Sequence, residues 1–164
     1  MSKRRSLSRI RDLIIHCADT PNGACYCAED IDDWHRQRGF SRAPDVAGNV
    51  SPELGAIGYH FVIHVSGGIR RGRALTETGA HARGYNEKSI GICLVGRDRF
   101  THAQWGALRS LVQSLQTRMD QRLRVRGHRD VNPGKTCPGF DVEAWLDDAM
   151  RIPPQHLYIP GETP

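Results

Sequence analysis

Apolar positions along the chain follow two periodicities. Leu13-Ile14-Ile15 and Ile90-Gly91-Ile92-Cys93-Leu94-Val95 are short continuous runs, as in strands covered on both faces of a sheet. Strands are therefore predicted at 12–17, with His16 near its end, and at 89–95. The runs 59–65 and 69–75 flank Ser66-Gly67-Gly68 and predict a hairpin. A further strand is predicted at 123–128, ending in His128. Helical spacing governs the rest. Ile31 and Trp34 lie one turn apart and Gly39 follows, which predicts a helix over 28–38. Thr101 and Gln104 have the spacing of a capping box. Behind them Trp105, Leu108, Leu111, Val112, Leu115 and Met119 recur at helical spacing, so a long helix lays one face on the sheet and that stripe is core. Asp141 is expected to cap a last helix whose Val142, Trp145 and Leu146 face inward. This alternation predicts an α/β fold: a single domain with a central mixed β-sheet covered by helices.

The domain is expected to span 12–151, after a basic N-terminal segment at 1–11 and before a Pro-rich C-terminal tail at 152–164. The tail, with Pro153, Pro154, Pro160 and Pro164, is expected to lie extended on the surface or to be mobile. The stretch 41–56 reads as a loop from Pro44, Gly48, Pro52 and Gly55, placed to shape one wall of a groove. A chain with 38% hydrophobic and 25% charged residues fits one folded core. No apolar run approaches the roughly 18 residues of a membrane span. The start Lys3-Arg4-Arg5 lacks the apolar middle of a signal peptide, so cytoplasmic synthesis is expected. Five cysteines at irregular spacing do not form a disulfide framework. The net charge of +5 attracts polyanions; acidic wall polymers, nucleic acid and plain solubility all account for it. No nucleic-acid module or aromatic-basic interleaving is present, so no nucleic-acid partner is expected. The Arg70-Arg71-Gly72-Arg73 cluster is expected beside the groove.

Candidate chemistry centres on two histidines and a cysteine. His16 closes the first apolar run, and Gly127-His128-Arg129-Asp130 is followed by Lys135-Thr136-Cys137-Pro138. Three ligands of this kind make a catalytic zinc site, which keeps one position for water, whereas structural sites are usually closed by four. Lys135, two residues before Cys137, is placed to share one turn with it. In a strand, Tyr59 and His60 point to opposite faces, so only one of them can address the metal. Tyr59 has the alternative of simple packing. Cys93 reads as a small buried strand residue, and Cys25-Tyr26-Cys27 as a surface loop with free thiols.

Eight histidines and five cysteines offer many accidental triples, and the neighbouring blocks decide between them. Ile14-Ile15-His16-Cys17, Ile31-Asp32-Asp33-Trp34-His35, Gly58-Tyr59-His60-Phe61, Gly79-Ala80-His81-Ala82-Arg83-Gly84-Tyr85-Asn86, Ser89-Ile90-Gly91-Ile92, Gly127-His128-Arg129-Asp130 and Lys135-Thr136-Cys137-Pro138 resemble, in order, the type 2 zinc-dependent N-acetylmuramoyl-L-alanine amidases. That family includes small phage lysozyme-type amidases and is related to peptidoglycan recognition proteins. The resemblance runs from about Asp12 to about Trp145. It implies an amidase/peptidoglycan-recognition-protein-like fold with one Zn2+ per chain, held by His16, His128 and Cys137. It selects Tyr59, with Lys135, as residues that assist the reaction, and implies that His81 and Asn86 bind substrate. The implied activity is hydrolysis of the amide between N-acetylmuramic acid and L-alanine, in a monomeric phage or prophage endolysin whose partner is peptidoglycan or its muropeptides. A non-catalytic peptidoglycan-binding module, a peptidase acting within the stem peptide, and a cytosolic muropeptide-recycling amidase are the alternatives. In another branch a glutamate stands at the position of Cys93 and moves protons, a role this chain must place elsewhere.

Overall fold

The computed structural model describes residues 3–44 and 50–162. Five strands form one mixed sheet in the order β3-β2-β4-β1-β5. They are β1 (Asp12–Cys17), β2 (Phe61–Ile63), β3 (Ile69–Arg71), β4 (Ser89–Leu94) and β5 (Arg124–Gly127). β1 lies between β4 and β5 and is parallel to both, β2 is parallel to β4, and β3 turns back antiparallel to β2. β1 and β4 are buried along their whole length, as their continuous apolar runs require.

The alternation of side chains divides the core into two layers. Leu13, Ile15, Ile90, Ile92, Leu94, Phe61 and Ile63 face one side, against Trp105, Leu108, Leu111 and Leu115 of α2 (His102–Arg118) and Trp145 of a short later helix. On the other side Val62, Cys93 and Val95 meet Ala28 and Ile31 of α1 (Ala28–Gln37) with Leu54 and Ile57. The predicted capping box of α2 is formed: Thr101 Oγ1 accepts from Gln104 N at 3.1 Å, and Gln104 Oε1 accepts from Thr101 N at 3.0 Å. Arg38 is the C-cap of α1, and Gly39 follows with φ +82°, a left-handed conformation that glycine adopts without strain.

Several expectations are corrected. β5 stops at Gly127, and His128 opens α3 (His128–Val131), where the Asp130 carboxylate accepts from Gly127 N. β2 begins only at Phe61, so strand alternation does not carry back to Tyr59, which packs with Val62 rather than Phe61. The tail is docked, as far as it is described, behind α4 (Val142–Asp147): Phe100 N donates to His156 O and Tyr158 N to Phe100 O, while Leu157 packs on the core. The arginine cluster is dispersed, since Arg70 pairs with Glu53 and Glu29 while Arg73 is buried. Arg5, in the basic N-terminal run, is also buried. Residues 45–49 of the 41–56 loop, 1–2 of the N-terminal segment and 163–164 of the tail lie outside the described residues. No described helix is long and apolar enough to cross a membrane.

Candidate active site

His16, His128 and Cys137 converge from three places. His16 sits on the α1 side of β1, His128 opens α3, and Cys137 follows the turn after it. Their ligand atoms all lie within 4.8 Å of one another, and His16 Nδ1 is 3.8 Å from Cys137 Sγ. Among the described residues this is the cluster able to hold a metal ion. The local fold explains the approach of the last two. Gly127 has no side chain where Pro138 packs, and Arg129 N donates to Cys137 O at 2.8 Å. This backbone bond ties the Cys137 turn to α3, and Cys17 N donates to the Cys137 sulfur at 3.2 Å.

The cluster lies in a cleft of about 460 Å3 whose walls include Tyr59, Arg38, Arg129 and Lys135. The Tyr59 ring is 5.1 Å from that of His16, whereas His60 lies one residue deeper, 5.7 Å from His81. α1 places Tyr59. The Asp32 carboxylate accepts from Ala56 N and Ile57 N at 2.7 and 2.6 Å, and His35 Nδ1 accepts from Gly58 N at 2.8 Å. Gly58 itself packs so tightly that an added Cβ would lie 2.1 Å from Ala80 O. Lys135 and Arg38 are exposed on the cleft and make no side-chain hydrogen bond to a described residue. Arg38 carries no signal in the sequence beyond its place before the helix-ending Gly39.

Electrostatics keep the histidines neutral. Burial, then the neighbouring His81, His128 and His35, holds His16 well below its ordinary pKa. Burial and then Lys135 lower His128. Neutral imidazoles are the form that binds metal. Burial, followed by the thiols of Cys93, Cys137 and Cys17, pushes the Tyr59 phenol well above its ordinary range, so its hydroxyl stays a donor. Hydrogen bonding to Cys17, then burial, raises the Cys137 thiol. Cys93 is wholly buried on β4, and Cys25 and Cys27 stand apart, Cys25 exposed and Cys27 at the N-cap of α1.

Residues 6–140 match the family described as N-acetylmuramoyl-L-alanine amidase. The chain belongs to this family. The endolysin of Enterobacteria phage T3 is 34% identical over 143 residues, covering 82% of this chain and 84% of that one. The endolysin of Klebsiella phage KP32 is 31% identical over 163 residues, 94% of this chain and 95% of its own. A solved endolysin amidase, LysCS from Clostridium intestinale URNW, aligns with a TM-score of 0.70 at 25% identity, over 91% of this chain and 90% of that one. As a member of the family, the chain is a peptidoglycan amidase.

The other residues singled out in the sequence do not line the cleft; Asn86 lines a second cavity, and His81 lines neither. His81 Nδ1 is 2.9 Å from His16 Nε2. Asn86 Oδ1 accepts from the backbone N–H of His81 and Ala82 at 2.8 and 2.9 Å. A second, basic cavity of about 680 Å3 opens beside Gly39, with Lys3, Arg9, Arg73 and Lys88 in its lining.

Proposed function

We propose that the chain is a zinc-dependent endolysin that cuts the amide between N-acetylmuramic acid and L-alanine in the cell wall, with zinc held by His16, His128 and Cys137. The observation that carries this reading is the convergence of those three donors on an open cleft. Two neutral imidazoles and a thiol match the preferences of zinc, whose tetrahedral ligand atoms lie about 3.3 to 3.6 Å apart. The 3.8 Å between His16 Nδ1 and Cys137 Sγ is close to that spacing. A complete donor set argues against a module that only binds peptidoglycan, and Cys93 in place of a glutamate argues against a recycling amidase.

Zinc bound there supplies a water activated near neutral pH and a Lewis acid for the scissile carbonyl. The chain's own groups then divide the remaining work. Lys135, exposed on the cleft wall and without a side-chain partner among the described residues, offsets negative charge that develops on the carbonyl oxygen. Tyr59, kept protonated, offers its Oη–H as a second donor to that oxygen, and such donors are worth most where water is excluded. The basic cavity beside Gly39 complements the free carboxylates of the stem peptide. Mass spectrometry of purified peptidoglycan after digestion tests the proposal. Intact glycan strands with free peptides beginning at L-alanine, produced with zinc and not after chelation, are expected. Cleavage inside the stem peptide would replace the amidase assignment with a peptidase, and untouched peptidoglycan would remove the wall as substrate.

A further inference from the structure

The ring of His81 occupies a slot that the fold reserves for it. A Cβ on Gly91 would lie 2.6 Å from its Cγ, and one on Gly79 2.5 Å from its Cδ2, so any side chain at either position would have to displace the ring. Gly91 lies within central β4, opposite Ile14 of β1, where glycine weakens a strand and marks a close approach. The backbone of His81 is pinned by Asn86 Oδ1. His81 is half-buried and is not among the residues lining either the cleft or the basic cavity. The nearest polar neighbour of its ring is a metal-ligand candidate, His16.

The hydrogen bonds around it have one consistent direction. His16 Nδ1 faces Cys137 Sγ and must be unprotonated to ligate, so the single imidazole proton sits on Nε2. That N–H points at His81 Nδ1, 2.9 Å away, which must therefore accept. The proton of His81 is then on its own Nε2, 3.4 Å from Ser89 Oγ. The Ser89 hydroxyl donates to Tyr85 O at 2.8 Å, which leaves an oxygen lone pair for His81. The opposite direction would put a proton on His16 Nδ1 and close the site to metal.

We propose that His81, oriented by Ser89 and Asn86, is a positioning residue that sets the tautomer and ring orientation of His16 for metal binding, in place of the substrate contact that the resemblance implies. The inference rests on the zinc reading above. Partners of this kind typically change metal affinity by about 10- to 100-fold. The test is competition for zinc alone between a chromophoric chelator and the full chain carrying His81→Phe, His81→Asn or Ser89→Ala. His81→Phe fills the slot without an acceptor and is expected to bind zinc about 10- to 100-fold more weakly, with the KM for peptidoglycan unchanged. His81→Asn places an acceptor near the Nδ1 position and is expected to restore most of the affinity; Ser89→Ala should weaken it by a smaller factor. Should His81→Phe fail to fold, nitrogen-correlated NMR of the zinc-loaded wild type decides, with both His16 and His81 expected to carry their proton on Nε2. Unchanged zinc affinity with a raised KM in His81→Phe, or a proton on His81 Nδ1, overturns the inference. A wild-type chain that binds no zinc overturns the metal reading itself.

Discussion

At the scale of single residues, the proposed function divides the cleft into groups that would hold a metal and groups that would act on substrate. Cys137 belongs to the first kind. Cys137→Ser replaces a thiolate-forming donor by a weakly acidic hydroxyl, so the purified variant is expected to carry only trace zinc by elemental analysis where the wild type carries about one per chain. Stoichiometric zinc in that variant would remove Cys137 from the ligand set. Lys135 is of the second kind, exposed and without a side-chain partner among the described residues. Lys135→Ala is expected to keep its zinc and its melting temperature while losing about a hundredfold or more in kcat. Full turnover would return Lys135 to the role of a solvated surface lysine. That these residues meet in one cleft was legible in the sequence, because donors of the right chemistry stood in a familiar order of blocks. The orientation of the His81 ring was not legible: order along the chain says that a histidine lies near the site, and only the folded chain sets its Nδ1 against His16 Nε2 and its Nε2 toward Ser89 Oγ.

Among the elements, α1 does more than cover the sheet. Its buried face presents Ile31 to the core and Asp32 and His35 to the backbone ahead of Tyr59. The pattern of apolar residues predicted the helix and its end, but it placed Trp34 on the packed face beside Ile31, and Trp34 is only half-buried while His35 is buried. Apolar periodicity cannot reveal a buried polar residue that is satisfied by distant backbone. Likewise the strand prediction ran through His128, because a hydrogen-bonded turn such as that of Asp130 with Gly127 leaves no trace in hydropathy. His35 gives the element a pH dependence. Burial, then Arg38 and Arg73, lowers its pKa from 6.5 to about 4, against a smaller opposing effect of Asp32. Between those values the unfolded chain binds the extra proton, so the stability that His35 contributes is present above pH 6.5 and lost as pH falls toward 4, up to ~3 kcal/mol. His35→Gln retains an acceptor for Gly58 N and removes the titration. In urea denaturation of metal-free protein, the wild type is therefore expected to lose more stability than His35→Gln between pH 7 and 4. Parallel losses would mean that His35 already accepts a proton in the folded state.

Over the whole molecule, the walls of the site are joined by a buried charge network that reaches back to the N-terminal segment. Glu77 is fully buried and takes three hydrogen bonds from Arg42, 3.0 and 3.2 Å from Nε and 2.8 Å from Nη2, with Arg73 at 3.7 Å. Arg42 also donates to Val50 O, Ser51 O and Leu54 O, Arg73 to Ile57 O and Thr78 O, and Arg5 to Leu75 O, Asn86 O and Ser89 O. One carboxylate thus stands among three buried guanidinium groups that hold the loop before Tyr59 and the loop carrying His81. Burial is strong enough to lower Arg5 and Arg73 to about 10. Nothing in the sequence marks these three among the many exposed arginines, because burial of a charge depends on which distant carbonyls surround it. Removing one member of a buried ion pair leaves the other uncompensated and costs about 3–5 kcal/mol, whereas an exposed pair contributes about 0–1 kcal/mol. Glu77→Gln is therefore expected to lower the melting temperature by roughly 10 °C. Glu87→Gln, which breaks the solvent-exposed pair with Arg9, should leave it within about 2 °C. Calorimetry of the two variants side by side separates the cases. Equal, small shifts would mean that the guanidinium groups are held by their backbone carbonyls alone, and that Glu77 is dispensable for keeping the two loops in place.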